Sequence, residues 1–203
     1  MAGSIAMRLM VTGGAGFIGS AVVRQAIARG DDVLNVDKLT YAGNLESIRD
    51  VLDDPRAEFV HADICDADDV ARSMDGHDAV VHFAAESHVD RSIADGSKFV
   101  RTNCMGTNVL CDVANTVGIG RFLHISTDEV YGSVEEGSSV ETDVLAPRSP
   151  YSAAKDCQSV SVGSSPHQVS PGNSIGCDCT HFSPKATCPG GSSSMMFSVR
   201  APW

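Results

Sequence analysis

A chain of 203 residues is long enough to bury a sizeable core in one domain, and 42% hydrophobic with 20% charged residues describes a globular protein rather than a disordered one. A formal net charge of -11 argues against a nucleic-acid-binding surface, which needs a basic patch or stripe. No apolar run is long enough to span a bilayer and residues 1–6 lack the charged start and apolar core of a secretory signal, so a cytoplasmic protein is expected.

Residues 7–12 form a short apolar run ending in glycines, the first expected strand. Residues 15–29 follow with helical periodicity, placing Phe17, Ile18, Ala21, Val22, Ala26 and Ile27 toward one face. A second strand is expected at 33–36, a turn at 41–44, a short helix around 45–52 and a third strand at 58–61. Acidic residues open a helix over 66–74. The near-continuous apolar run 78–85 suits a parallel strand covered on both faces. A long helix over 98–117 and a fifth strand over 121–126 complete the regular part. This alternation predicts an α/β fold, a Rossmann-like doubly wound parallel sheet.

Beyond Lys155 the composition changes. Residues 156–203 contain no Leu, Glu or Tyr and are rich in Ser, Gly, Pro and Cys. Asp156 and Asp178 balance Lys185 and Arg200, so the whole of the -11 lies in residues 1–155. No helical or strand period survives past Val162. The expected organisation is a domain over 1–155 followed by an irregular tail over 156–203. Loss of the reading frame shortly after Lys155 explains the break better than disorder, because the break falls inside a helix. The sheet is then incomplete, with the edge of its fifth strand exposed. In the tail, Cys177, Cys179, His181 and Cys188 lack the spacing of a paired zinc site, and no metal is expected. Cys65, Cys104 and Cys111 read as reduced thiols, and His82, His88 and His124 as packing or hydrogen-bonding groups.

Gly13, Gly16 and Gly19, in VTGGAGFIG at 11–19, sit between the first strand and the first helix. The first allows a tight turn, the second lets a pyrophosphate approach the backbone, and the third lets the helix pack closely on the sheet. The helix N-terminus adds amide donors and a positive dipole end. Asp37 ends the second strand, where a carboxylate accepts ribose hydroxyls and repels a 2′-phosphate, which favours NAD over NADP.

Tyr151 and Lys155, in YSAAK, share one face of a helix, and the ammonium is expected to lower the phenol pKa toward that of a working base. STDEVYG at 126–132 ends the fifth strand, the edge at which open parallel sheets bind ligands. Its adjacent carboxylates, Asp128 and Glu129, suit a division into acid and base if their surroundings split their pKa values, and equally suit a solvated turn.

With these residues in view, the chain resembles the extended short-chain dehydrogenase/reductases, and among them the dTDP-glucose 4,6-dehydratases. The matching stretches are TGGAGFIGS (12–20), VDKLTYAGN (36–44), HADICD (61–66), HFAAESHVDRSI (82–93), TNCMGT (102–107), HISTDEVYG (124–132) and SPYSAAK (149–155). The resemblance implies a lyase using NAD to convert a nucleotide sugar, dTDP-glucose by likeness, to a 4-keto-6-deoxy sugar. It implies that Gly13, Gly16, Phe17, Ile18, Gly19, Asp37, Lys38, Leu39, Thr40, Asp63, Ile64, Phe83, Ala84, Ala85, Glu86, Ser87, Thr102, Tyr151 and Lys155 line the NAD site, with Ser87 and Thr127 toward the sugar. Tyr151 would take the 4-hydroxyl proton, Lys155 would tune it and hold the nicotinamide ribose, Thr127 would bond the 4-oxygen, Glu129 would remove the C5 proton, and Asp128 would protonate the departing 6-hydroxyl. Family members add a domain that grips the nucleotide sugar and pair as homodimers through the Tyr–Lys helix. The resemblance ends within that helix, which bears on activity and dimerisation alike. Another nucleotide-sugar dehydratase or decarboxylase, or a non-catalytic NAD-binding remnant, are the alternative readings.

Overall fold

The computed structural model describes residues 6–134, 137–140, 142–163 and 174–176. The chain begins with β1 (Arg8–Thr12), α1 (Phe17–Arg29) and β2 (Asp32–Asp37), then a 3-10 turn at Leu45–Ile48 and β3 (Ala57–His61). It continues through α2 (Ala67–Met74), β4 (Ala79–His82) and α3 (Val89–Ala94). A composite helix follows, made of α4 (Ser97–Phe99), a π-helical stretch (Val100–Gly106) and α5 (Thr107–Val117). β5 (Arg121–His124), a 3-10 turn (Asp128–Tyr131), α6 (Pro150–Gly163) and β6 (Ser174–Gly176) close the series.

The helix ends have local causes. Gly16 leads into α1 in extended backbone, and Gly30 stops it with a left-handed φ of 100°. The Asp66 carboxylate caps α2 by accepting from the Asp68 and Asp69 N–H groups. Pro150 occupies the first turn of α6, where its missing N–H costs nothing, and the Ser149 hydroxyl accepts from Ser152 N–H at 3.0 Å.

All strands are parallel, in the order β3-β2-β1-β4-β5-β6. Alternate side chains leave opposite faces of this sheet. Leu9, Val11 and Val33 pack with Val23, Ala26 and Ile27 of α1. Met10, Leu34 and Val80 pack with Val70 and Met74 of α2 and Leu110 and Ala114 of α5. Leu110 is fully buried in that second layer, so Leu110→Ala is expected to cost about 3 kcal/mol and to lower the melting temperature by on the order of 10 °C in a calorimetric scan.

The structure departs from the sequence reading at five places. The helix expected over 98–117 is interrupted by the π-helical turn at Val100–Gly106. β4 stops at His82, and residues 83–88 run on without strand pairing. α3 lies where no element was expected. The outer edge of β5 is not bare: β6 pairs along it, with Arg121 opposite Ser174 and Leu123 opposite Gly176. α6 also runs eight residues past Lys155. The Cys177, Cys179, His181 and Cys188 group lies outside the described residues. Among the described residues, no helix is long and apolar enough to cross a membrane.

Candidate active site

β1 and β4 are neighbours in the sheet, but β1 leads away to β2 and β4 away to β5, so the strand order reverses between them. A crevice at that reversal is where doubly wound sheets bind ligands. A cavity of about 550 Å³ opens there, within the usual range for small-molecule sites. Its floor is the turn after β1. Gly13 has φ of 74°, and a Cβ on it would lie 2.6 Å from the Ala84 nitrogen, so only glycine lets this turn lie against the chain leaving β4. A Cβ on Gly19 would lie 2.3 Å from the Gly13 carbonyl oxygen, which is what keeps α1 close to the turn. α1 carries no side-chain cap and no acidic residue in its first turn, and Gly16, Phe17, Ile18 and Gly19 line the cavity. The first N–H groups of the helix therefore face open space at its positive end, a cradle for an anion.

Asp37 is almost fully buried at the end of β2 and shapes the turn as well as facing the cavity. One carboxylate oxygen accepts from Ala15 N–H at 3.0 Å and the other from Leu39 N–H at 2.8 Å. Each oxygen keeps a further lone pair for a ligand hydroxyl. Lys38 and Asp63 pair across the rim at 2.6 Å. Burial pushes the Asp63 carboxyl up, but the Lys38 ammonium and the Cys65 N–H outweigh it and leave the pKa below its ordinary value.

The opposite wall is the extended segment 83–88. Asn103, buried on the π-helical turn, grips it with two bonds: its side-chain oxygen accepts from Glu86 N–H at 2.8 Å and its amide donates to the Glu86 carbonyl at 3.0 Å. A bulge in a helix re-aims a side chain in this way. At the mouth, the Tyr41 ring lies 5.4 Å from the His88 ring and carries the Arg91 guanidinium 4.0 Å from its centroid.

Tyr151 and Lys155 enter from α6 and line the same cavity. The Tyr151 phenol is hydrogen-bonded to Thr127 and has the Glu129 and Asp128 carboxylates as electrostatic neighbours. Thr127 also accepts from Glu129 N–H at 3.4 Å and donates to Asp128 at 3.3 Å, so the three residues are held together at the 3-10 turn after β5. The expected lowering of the tyrosine pKa by Lys155 is not found. Burial, then the two carboxylates and Tyr41, raise Tyr151 above its ordinary value of 10, and only the Thr127 bond opposes them. The shared helical face does not suffice because the buried lysine ammonium donates to the Ile125 carbonyl at 2.7 Å. Burial and the Asp128 charge raise Glu129 above its ordinary 4.5.

Among the residues singled out from the sequence, the glycines, Phe17, Ile18, Asp37, Lys38, Thr40, Asp63, Ile64, residues 83–87, Thr102, Tyr151 and Lys155 line the cavity. Leu39 does not; its backbone N–H serves the Asp37 turn and its φ is 51°. Thr127, Asp128 and Glu129 reach the site through Tyr151 rather than along the cavity wall. Tyr41, Ala42, Gly43, His88, Ile125 and Ser126 also line it, and the sequence reading missed them as site residues. Tyr41 to Gly43 lie within a stretch that carries the family likeness, which was the available signal. Among the described residues no group of three or more His, Cys, Asp or Glu side chains could hold a metal.

A parallel sheet with a glycine cradle at its reversal point, and a Tyr–Lys helix facing that cradle, defines a short-chain dehydrogenase/reductase domain. The chain belongs to the GDP-mannose 4,6 dehydratase family, whose profile matches residues 10–186. It is 53% identical over 155 residues to a dTDP-glucose 4,6-dehydratase of Streptomyces niveus, covering 73% of this chain and 46% of that one. It is 52% identical over 171 residues to dTDP-glucose 4,6-dehydratase 1 of Escherichia coli K12, covering 73% and 47%. The crystal structure of DesIV, a dTDP-glucose 4,6-dehydratase from Streptomyces venezuelae with NAD bound, superposes with a TM-score of 0.75 at 53% identity, over 77% of this chain and 50% of that one. The chain thus spans about half the length of these relatives.

Proposed function

We propose that this chain is the NAD-binding and catalytic part of a cytoplasmic nucleotide-sugar 4,6-dehydratase acting on dTDP-glucose. The observation that carries the reading is that Tyr151 and Lys155 of α6 line the cavity floored by the glycine cradle, while Thr127, Asp128 and Glu129 act on the phenol from the turn after β5. The cavity fits NAD by its own features: uncapped N–H groups at the start of α1 for the pyrophosphate, Asp37 with spare lone pairs for the adenosine ribose, and a turn that excludes any Cβ at Gly13. When bound, NAD would supply reversible hydride transfer, taking up the sugar C4 hydride and giving it back at C6. Tyr151 takes the proton of the 4-hydroxyl while Thr127 bonds its oxygen. Lys155, fixed on the Ile125 carbonyl, would hold the nicotinamide ribose. The resulting 4-ketone acidifies C5, from which Glu129 removes the proton and to which it returns that proton when hydride reaches C6. Asp128 gives a proton to the departing 6-hydroxyl. The raised Glu129 pKa suits a base that must hold the abstracted proton.

The test is incubation of the purified chain with NAD and dTDP-glucose, with mass spectrometry for loss of one water from the sugar. Tyr151→Phe is expected to lower turnover by about 10²–10⁴-fold while leaving NAD binding largely intact. Full turnover in that variant would remove the phenol from the mechanism. NAD binding without any product would leave the chain as a cofactor-binding remnant.

A further inference from the structure

Below the cavity, the last residues of three neighbouring strands form a polar row. Thr12 of β1 stands opposite His82 of β4, and His82 opposite His124 of β5. All three are buried. His82 spans two bonds: Nδ1 meets the Thr12 hydroxyl at 2.7 Å and Nε2 meets the Thr107 hydroxyl at 2.9 Å. Thr107 opens α5, and its oxygen also accepts from the side-chain amide of Gln158 on α6 at 2.8 Å. Thr107 and Gln158 are fully buried. A continuous hydrogen-bonded chain therefore runs from the residue before Gly13 to a residue one turn past Lys155.

Its location bears on the site. α6 supplies both Tyr151 and Lys155, and it is tied at either side of them: Tyr151 N–H donates to the Ser92 hydroxyl at 3.2 Å, and Gln158 donates to Thr107. Apolar packing fixes how closely a helix lies on a sheet but tolerates sliding and rotation. A buried hydroxyl that must keep two partners does not, because leaving either unmade costs the full desolvation of that group.

We propose that Thr107 is a positioning residue: through His82 and Gln158 it registers the Tyr151–Lys155 helix against the Thr12–Gly13 turn, so that the two halves of one dinucleotide are met together. The inference rests on the NAD reading given above. The glycine turn would hold the diphosphate half, α6 would meet the nicotinamide half, and Thr107 sets the offset between them.

The two halves can be probed separately by calorimetric titration of the full chain with NAD and with ADP, which lacks the nicotinamide riboside. Thr107→Val keeps the volume and removes the hydroxyl. It is expected to leave ADP affinity unchanged and to weaken NAD about tenfold, the effect of one buried hydrogen bond, while Thr107→Ser restores the wild-type ratio. Equal losses for the two ligands, no loss for either, or failure of Thr107→Ser to restore the ratio overturns the positioning role, since a merely structural hydroxyl does not distinguish the ligands. If Thr107→Val does not fold, Gln158→Met is measured against the same ratio with the same two outcomes. Wild-type chain that binds ADP but not NAD would instead overturn the cofactor reading itself, and the proposal with it.

Discussion

Gly13→Ala is expected to abolish cofactor binding and to cost on the order of 4 kcal/mol in stability. Two effects add. The backbone at Gly13 has φ of 74°, where a Cβ costs about 1–2 kcal/mol by its contact with the chain. That Cβ would also sit 2.6 Å from the Ala84 nitrogen, 2.8 Å from the Ala84 Cα and 2.9 Å from the Phe83 carbonyl carbon. These are backbone atoms of a segment that Asn103 grips at Glu86, so they have little room to yield. Either the turn or the cavity wall must shift, and both line the site. Gly118 supplies the control. Its φ of 78° is as left-handed, but nothing lies within 4 Å of where its Cβ would be. Gly118→Ala is expected to cost only the conformational part, about 1–2 kcal/mol, and to bind NAD normally. Urea denaturation with NAD titration separates the two variants, and equal losses would show that crowding at Ala84 is not what demands the glycine.

That contrast shows what a sequence can convey. The glycine triplet between a strand and a helix announced a phosphate cradle, because both the turn and the helix N-terminus are local. Strand–helix alternation announced the doubly wound sheet for the same reason, with element ends displaced by a few residues. β4 is shorter than its apolar run because residues 83–85 leave the ladder to line the cavity, a tertiary demand that hydropathy does not register. The π-helical turn at Val100–Gly106 was hidden because its sequence is continuous with a helix; what accompanies the bulge is the grip of Asn103 on Glu86, far along the chain.

The Tyr–Lys pair was legible as a pair but not in its electrostatics. Helical spacing puts the two side chains on one face, yet the lysine is drawn to Ile125 and the phenol feels two carboxylates on the turn after β5. Those carboxylates read from the sequence as either a site or a solvated turn, and only the fold places them at Tyr151. The polar row beneath the cavity was less visible still. Thr12, His82 and His124 are neighbours only through strand register, and Thr107 and Gln158 join them only through helix packing.

The same row makes this fold sensitive to acid. Burial, the neighbouring His124 ring and the Lys155 ammonium hold the His82 pKa well below its ordinary 6.5. Burial and Lys155 push His124 down to about 3. The His124 imidazole is therefore neutral in the folded chain at pH 5, whereas in the unfolded chain it takes up a proton below about 6.5. The unfolded state then binds more protons, so stability falls as pH drops through this window, by about 1.4 kcal/mol per unit for His124. Between pH 7.5 and 5 the expected loss from His124 is about 2 kcal/mol, with His82 acting in the same direction, against the 5–15 kcal/mol typical of a domain. His124→Phe isolates one member. Neither ring nitrogen of His124 has a partner among the described residues, so an apolar ring relieves buried unpaired groups, and stability at pH 7.5 is expected to hold or rise. At pH 5 the variant is expected to keep about 2 kcal/mol that the wild type loses. Guanidinium unfolding across pH 5 to 7.5 measures both slopes. Parallel curves for variant and wild type would mean that His124 is not held neutral, and that the acid sensitivity of the fold resides elsewhere.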